Sequence, residues 1–417
     1  MKLFFSVGEP SGDLHGANLI SAIKRVHLAT AAVGFGGPKM LSAGCGLLHD
    51  MSDLAVMGLG PVLAKLPQFY LLKRQAERHF DEHRPDAVVL IDYPGFNWHI
   101  ARAAKQRGIP VIYYGLPQIW AWASWRVKKV RNYVDHALCK LPFEEEWFRG
   151  KGCRATYVGH PYFDELAAQR LDQQLVAKLQ ARPGRIVTIL PGSRRQEVKH
   201  NLPMLLKAAA IVRRETPGVN VVIASYNDVQ AELARQLVAT GPVPAEVFVG
   251  KTPELISAAD CCLATSGSVS LELLYHAKPT VIVYRVSWLL AQAVRRLASV
   301  RYITLVNLLA SDRPFLSPGE PASVYEADAP GHAQVLFPEY PTWRDRSADI
   351  ARHAIGWLHD EVARQRLIAK LAALKDRVAA SGASAAAAEY IVRHIAPTEP
   401  EILPLPDRSA GPLRRAS

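Results

Sequence analysis

Short apolar runs alternate with amphipathic helical segments along this chain, and the pattern starts twice. Lys2–Val7 leads through a Gly/Ser turn into a helix expected over Leu14–Val26, and Ala87–Ile91, Phe96–Arg107 and Pro110–Tyr114 repeat the order strand, helix, strand. The alternation restarts at Ile186–Leu190. From there Val221–Ala224, Cys261–Ala264 and Thr280–Val283 read as strands between helices at Leu202–Arg214, Val229–Ala239 and Val269–His276. Strands this short and this continuously apolar are buried on both faces, which implies parallel sheets covered by helices. The expected fold class is therefore α/β, with two Rossmann-like doubly wound domains, 1–166 and 185–346, facing each other across a cleft. The charged, Gln-rich stretch Ala167–Gly184 reads as a linker. Residues 347–395 form an Ala-rich helical segment expected to pack back onto the body. Residues 396–417 read as a disordered tail, and the Pro/Gly/Ser/Asp-rich stretch from Ser311 to Ala333 as a long loop near the second domain's functional end.

At 417 residues, with 49% apolar and 21% charged residues, the chain has material for two large cores. Apolar runs fall short of a membrane span, and Gly8-Glu9-Pro10 breaks the N-terminal run too early for a signal peptide, so cytoplasmic residence is expected. The five cysteines lack CxxC spacing and read as reduced core residues. A net charge of +12 favours an acidic partner: a phosphorylated substrate, an anionic membrane surface or nucleic acid. The aromatic-basic run Trp120–Arg131 suits RNA in composition, but no RRM, KH or zinc-finger signature accompanies it, so nucleic acid ranks last.

The candidate site residues lie where strands end, because ligands of doubly wound sheets bind outside the carboxyl ends of the strands. The strand Ile186–Leu190 runs into Pro191-Gly192-Ser193-Arg194-Arg195-Gln196-Glu197. Such a turn offers free backbone N–H groups and a helix N-terminus to an anion, and its arginines add forked donors suited to phosphate. Thr265-Ser266-Gly267-Ser268 opens a second helix in the same way, with Glu272 one turn inside. There it is placed either to accept from ribose hydroxyls or to serve as a surface carboxylate near a helix start. Asp92 ends an apolar strand. A carboxylate there is desolvated and a stronger base, a reading favoured over a helix cap. Gly8-Glu9-Pro10-Ser11-Gly12-Asp13 closes the first strand as a ligand loop or as a plain connection with Asp13 capping the helix. Gly159-His160-Pro161 is balanced between a rigid turn and a hinge.

Several motifs are missing. There is no Walker loop, no GxGxxG, no HExxH, no Gly-x-Ser-x-Gly and no kinase signature set. Asp-x-Asp, the usual metal-diphosphate clamp, is also absent, so no metal or cofactor is expected. A diphosphate leaving group would then rely on helix dipoles and arginine.

In these residues the chain resembles the lipid A disaccharide synthase family, inverting glycosyltransferases of the two-Rossmann GT-B fold. The matching segments are Gly8–Asp13, Leu54-Ala-Val-Met-Gly58, Ile91-Asp92 with Phe96-Asn97, Trp120-Ala-Trp122, Leu141-Pro-Phe-Glu144 and Val158-Gly-His-Pro161. They continue in family order with Leu190–Glu197, Ser266-Gly267 with Leu271-Glu272, Tyr284-Arg-Val286 and Asn307-Leu-Leu309. The resemblance implies transfer of 2,3-diacylglucosamine from its UDP-sugar, UDP-2,3-diacylglucosamine, to 2,3-diacylglucosamine 1-phosphate. The implied product is a β-1,6-linked disaccharide 1-phosphate, formed without metal. It implies Asp92 as general base. Gly192, Ser193, Arg194, Glu197, Ser266, Gly267, Ser268, Glu272 and Asn307 would be donor-binding. Glu9, Ser11, Gly12 and Asp13 would face the acceptor.

Departures from the family pattern are Gly95 for the usual Asp, Leu116-Pro117-Gln118 for Ser-Pro-Ser, and Pro61 for Glu. An insertion also follows Asn307, and Thr342 stands at a usual Gln. Lipid substrates imply an anionic membrane surface as partner. The apolar, lysine-bearing segment Met57–Lys73 is a candidate contact through Leu63 and Leu66, against its reading as a core helix. The helical tail offers a surface for a homodimer. The competing functions are a UDP-sugar 2-epimerase, against which Trp120-Ala-Trp122 and Gly8–Asp13 argue, and a non-catalytic lipid or nucleotide binder.

Overall fold

The computed structural model describes residues 1–51, 65–317, 320 and 335–396. Leu63, Pro61, the Leu54–Gly58 match, most of the 311–333 insertion and the tail from 397 lie outside the described residues.

Two parallel sheets organise the chain. The first has the order β3-β2-β1-β4-β5-β6-β7, built from Lys2–Val7, Ala31–Gly36, Cys45–Asp50, Ala87–Ile91, Val111–Tyr114, His136–Cys139 and Ala155–Tyr157 in chain order. The second has the order β10-β9-β8-β11-β12-β13, from Ile186–Leu190, Asn220–Ser225, Glu246–Val249, Cys261–Thr265, Thr280–Arg285 and Glu339–Thr342. The strands β4, β5, β8 and β11 are buried along their whole length, as the unbroken apolar runs require. This is the expected doubly wound α/β architecture, twice over.

In each sheet the winding reverses beside its first strand: between β1 and β4, registered Val7 to Ile91, and between β8 and β11, registered Leu190 to Ala264. Such reversal points leave a crevice at the strand ends because the flanking helices lie on opposite faces.

Several boundaries differ from the sequence reading; beside the helix expected at Phe96, which runs Pro94–Lys105, three bear on the site and its surroundings. The first helix runs Pro10–Val26, not from Leu14, because Pro10 fits the first helical turn. Ser11, Gly12 and Asp13 are thus helical and not a loop. The helix expected at Leu202 begins at Arg195 and carries Pro203 inside it. The linker holds a helix, Gln173–Gln180, capped by Asp172. It is tied to the second half by Lys251 and by Glu254, which accepts from the Asp172 backbone N–H.

Helices Ser347–His359 and Glu361–Val378 pack on the second half, and only the last helix returns to the first. Helix Ala383–Ile395 packs on helix Pro10–Val26. Asp164 accepts from the backbone N–H groups of Gly382, Ala383 and Ser384, and His136 is hydrogen-bonded to Tyr390 at 3.0 Å. Gly159 (φ +91°) must lack a side chain here, since a Cβ would press on Ala383 at 3.2 Å.

Candidate active site

The first reversal point brings Glu9 and Asp92 together. Asp92 and Tyr93 both adopt left-handed backbone, φ +46° and +44°, a strained pair that the surroundings must hold. The hold is visible. Asn97 donates to the carbonyls of Ser6, Ile91 and Asp92 and accepts from the Ser6 hydroxyl, while the Tyr113 hydroxyl donates to the Asp92 carbonyl at 2.6 Å. Gly8 admits the Tyr93 ring, which a Cβ would meet at 2.2 Å.

The Asp92 carboxylate is not the lone desolvated group expected from its strand end. Lys140 Nζ lies 3.0 Å from Asp92 Oδ1. Burial pushes Lys140 down, but Asp92, Glu144 and Glu9 outweigh it and hold the ammonium above its ordinary value. Glu144 fixes the turn that presents this lysine: it accepts from the Lys140 and Leu141 backbone N–H groups and from Trp120 Nε1. The segments Trp120–Trp122 and Leu141–Glu144 therefore meet in one network behind Asp92. Glu9 is raised by burial and by Asp92, and lowered by Arg194 from the opposite half and by Lys140.

The residues expected on the acceptor side divide. Ser11 is exposed on the cleft wall. Gly12 is buried, with space for a Cβ denied by Val7 at 2.8 Å. Asp13 is turned away: its carboxylate accepts from the N–H groups of Gly37, Lys39 and Met40 and caps helix Pro38–Ser42. Its full set of backbone donors leaves it a structural cap in place of an acceptor contact.

Across the cleft, the turn after β8 is an anion cradle already filled from within. Glu197 Oε2 accepts from the Ser193 and Arg194 backbone N–H groups at 3.0 and 3.2 Å, and Glu197 Oε1 accepts from the Arg194 guanidinium at 3.2 Å. The free N–H groups expected of this turn are thus partly spent on a capping carboxylate, and Glu197 points back into its own loop. Gly192 (φ +115°) leaves room for that carboxylate. Ser266, Gly267 and Ser268 line the same cleft at the start of helix Val269–Tyr275.

Glu272, 5% exposed, accepts from the Tyr162 hydroxyl at 2.9 Å; its Oε1 has no partner among the described residues. Asn307 does not face the cleft as a donor contact. Its amide binds Phe337 and Glu339, and Glu339 holds the Ile303 and Thr304 N–H groups and itself lines the cleft.

The cleft between the halves measures about 1190 Å³ and is walled by Pro10, Ser11 and Tyr162 on one side and the β8, β11 and β12 ends on the other. Lys140, Tyr162, Glu339 and Arg301 were not anticipated as site residues. Their side-chain partners lie 19 to 110 residues away, so no local pattern marks them.

Two doubly wound domains meeting at facing reversal points define the GT-B fold. The fold is shared with the UDP-GlcNAc 2-epimerase of Neisseria meningitidis bound to UDP-GlcNAc (TM-score 0.59, 11% identity, 94% of this chain and 100% of that chain). It is shared too with the glycotransferase of kitacinnamycin (TM-score 0.58, 16% identity, 94% and 99%). Sequence goes further than fold. The model of the lipid-A-disaccharide synthetase family matches residues 3–320. The chain is 33% identical over 392 residues to the lipid-A-disaccharide synthase of Anaeromyxobacter sp. (strain K), covering 94% of this chain and 97% of that protein. It is 31% identical over 400 residues to that of Myxococcus xanthus (strain DK1622), covering 95% and 98%. The chain belongs to the lipid-A-disaccharide synthetase family and is a glycosyltransferase of lipid A biosynthesis.

Proposed function

We propose that the protein transfers 2,3-diacylglucosamine from UDP-2,3-diacylglucosamine to the 6-hydroxyl of 2,3-diacylglucosamine 1-phosphate, with inversion at the anomeric carbon. One observation carries this reading: Glu9, next to the cleft residues Pro10 and Ser11, lies within electrostatic reach of both the Asp92–Lys140 pair of the first half and Arg194 of the anion cradle across the cleft. Asp92 removes the proton of the acceptor hydroxyl as its oxygen bonds to the donor's anomeric carbon. The bond from that carbon to the diphosphate breaks, and UDP leaves. Lys140 positions Asp92 and serves as its counter-ion. Arg194 and the Ser266–Ser268 helix start take up the charge of the leaving diphosphate. Glu272 accepts from the ribose. A volume of about 1190 Å³ exceeds what a nucleotide alone needs and suits a ligand that also carries a sugar.

The purified protein given donor and acceptor should release UDP only when both are present, and EDTA should not change the rate. Isomerised donor would support the epimerase instead, and no turnover the binder. Asp92→Asn should lower kcat by about 1,000-fold, within the range for loss of a general base, and leave UDP affinity nearly unchanged. Equal losses in both would remove Asp92 as base.

Membrane contact belongs to the same proposal. Among the described residues no helix is long and apolar enough to cross a bilayer. Helix Leu66–His83 exposes Leu66 (51%), Tyr70 (60%) and Leu71 (66%) beside Lys73 and Arg74, a mix suited to an anionic interface. Leu66→Ser with Leu63→Ser should release the protein from anionic vesicles; unchanged binding refutes the contact.

A further inference from the structure

Among the described residues that line the cleft, two are cationic, Arg194 and Arg301, against three carboxylates, Glu197, Glu272 and Glu339. Arg194 is already shared with Glu197. A diphosphate carries at least two negative charges, so one partly neutralised arginine leaves it undercompensated. We propose that Arg301 is the second diphosphate-binding cation of the cleft, and that it reaches the diphosphate by exchanging its internal partner, Glu320, for the ligand. The inference rests on the UDP-sugar reading of the cleft.

The backbone around Arg301 is fixed on both sides. Ser299 N–H donates to the Ala121 carbonyl of the first half, and Arg301 N–H donates to Pro314. Leu316 N–H donates back to Ser299, and Val300 pairs with Phe315 in an antiparallel bridge. The Phe315 ring sits among Trp120, Phe143 and Trp147 of the first half, with centroids 5.8 to 6.4 Å away. This strap holds the Arg301 backbone at the cleft whatever its side chain does.

The side chain is held differently. Its two terminal nitrogens face the two oxygens of Glu320, at 2.7 and 2.9 Å, while Nε is buried without a partner among the described residues. Glu320 is kept in place by the Ser317 N–H. The paired side chains are 27% and 31% exposed, so water competes for both and the pair is easily parted. A phosphate offers the fork the same two-oxygen geometry as a carboxylate and carries more charge. Exchange needs only side-chain rotation. The orphan Nε–H supplies one more donor for a ligand oxygen.

UDP and uridine titrated calorimetrically into the full-length protein separate the possibilities. Arg301→Gln should weaken UDP binding about tenfold, the loss expected for a charge-assisted bond, and leave uridine binding unchanged. Arg301→Lys, which keeps the charge and loses the fork, should fall between and covers the case of a poorly folded Gln variant. Glu320→Gln should tighten UDP about threefold by releasing Arg301, and the double variant should match Arg301→Gln. If Glu320→Gln weakens UDP as Arg301→Gln does, the pair is only a brace and the inference falls. It falls also if uridine binding moves in parallel with UDP, or if UDP binding ignores Arg301. Wild-type protein that binds neither ligand overturns the UDP reading itself, which is a separate outcome.

Discussion

Tyr162→Phe removes one oxygen from a bond that spans the two halves, and its cost follows from the geometry. The hydroxyl donates to Glu272 Oε2 at 2.9 Å, and that carboxylate is 5% exposed with its other oxygen unpartnered among the described residues. A bond to a charged acceptor contributes about 1.5–3 kcal/mol, and water entering from the cleft recovers part of the loss. A coupling of about 1.5 kcal/mol between the two side chains is therefore expected. The assay is urea unfolding of wild type, Tyr162→Phe, Glu272→Gln and the double variant, read as a double-mutant cycle.

The pH dependence adds a sign. Burial raises Glu272 above its ordinary value of 4.5, and the Tyr162 hydroxyl opposes that rise. A raised native value means the folded state holds the proton longer. Stability is then greatest below the unfolded value and falls as pH rises through the native one. Losing the hydroxyl raises Glu272 further, so the Tyr162→Phe deficit should be larger near about pH 8 than near about pH 4. A coupling below about 0.3 kcal/mol, within ordinary additivity error, would refute the reasoning, as would a deficit that shrinks with rising pH.

Two further perturbations test the cradle and its support. Gly192→Ala places a Cβ 2.5 Å from Glu197 Cβ on a backbone at φ +115°, and should cost about 2–4 kcal/mol in urea unfolding; a loss under about 0.5 kcal/mol contradicts the close fit. Burial pushes Glu339 up to about 7 despite its donors, so stability should fall as pH rises from about 4.5 to above 7, by about 3 kcal/mol. Glu339→Gln should flatten that slope, and an unchanged slope would assign the pH dependence elsewhere.

What the sequence revealed and what it hid follow from the range of the interactions. Apolar runs such as Val88–Ile91 and Ile186–Leu190 declare buried parallel strands locally, so the double α/β architecture and the strand ends that face the cleft are legible, whereas the strand order and its reversal points are set by long-range pairing. The resemblance then supplied the family that the comparisons show. Helix starts were less legible, because Pro10 and Pro94 admit a helix earlier than the apolar periodicity announces it. The roles of single polar residues were hidden most. Asp13 caps a helix two dozen residues on, Asn307 braces Glu339 across the insertion, and Lys140 reaches Asp92 from another strand end. Glu197 is the instructive case. A Glu following a polar turn at a helix start is a capping signal; the resemblance places it among the donor-binding residues, while its carboxylate turns back onto the N–H groups of its own loop.

The cations at the cleft and just behind it are each held in an internal pair. Arg194 holds Glu197, Arg301 holds Glu320, and Lys140 holds Asp92. A cation left alone in a narrow cleft costs desolvation energy, and a cluster of such cations would repel itself, so each is matched by a carboxylate from its own or a neighbouring turn. On the proposed reading, a diphosphate does not enter an empty positive pocket. It displaces carboxylates that already hold the arginines, Arg301 through both terminal nitrogens and Arg194 through one, which keeps the donors oriented before binding and gives the product a built-in competitor. Affinity for UDP is then the difference between two similar interactions, and so is modest by construction. An enzyme that must release UDP after every transfer gains from that, because a pocket of unpaired arginines would bind its product far more tightly than its turnover allows.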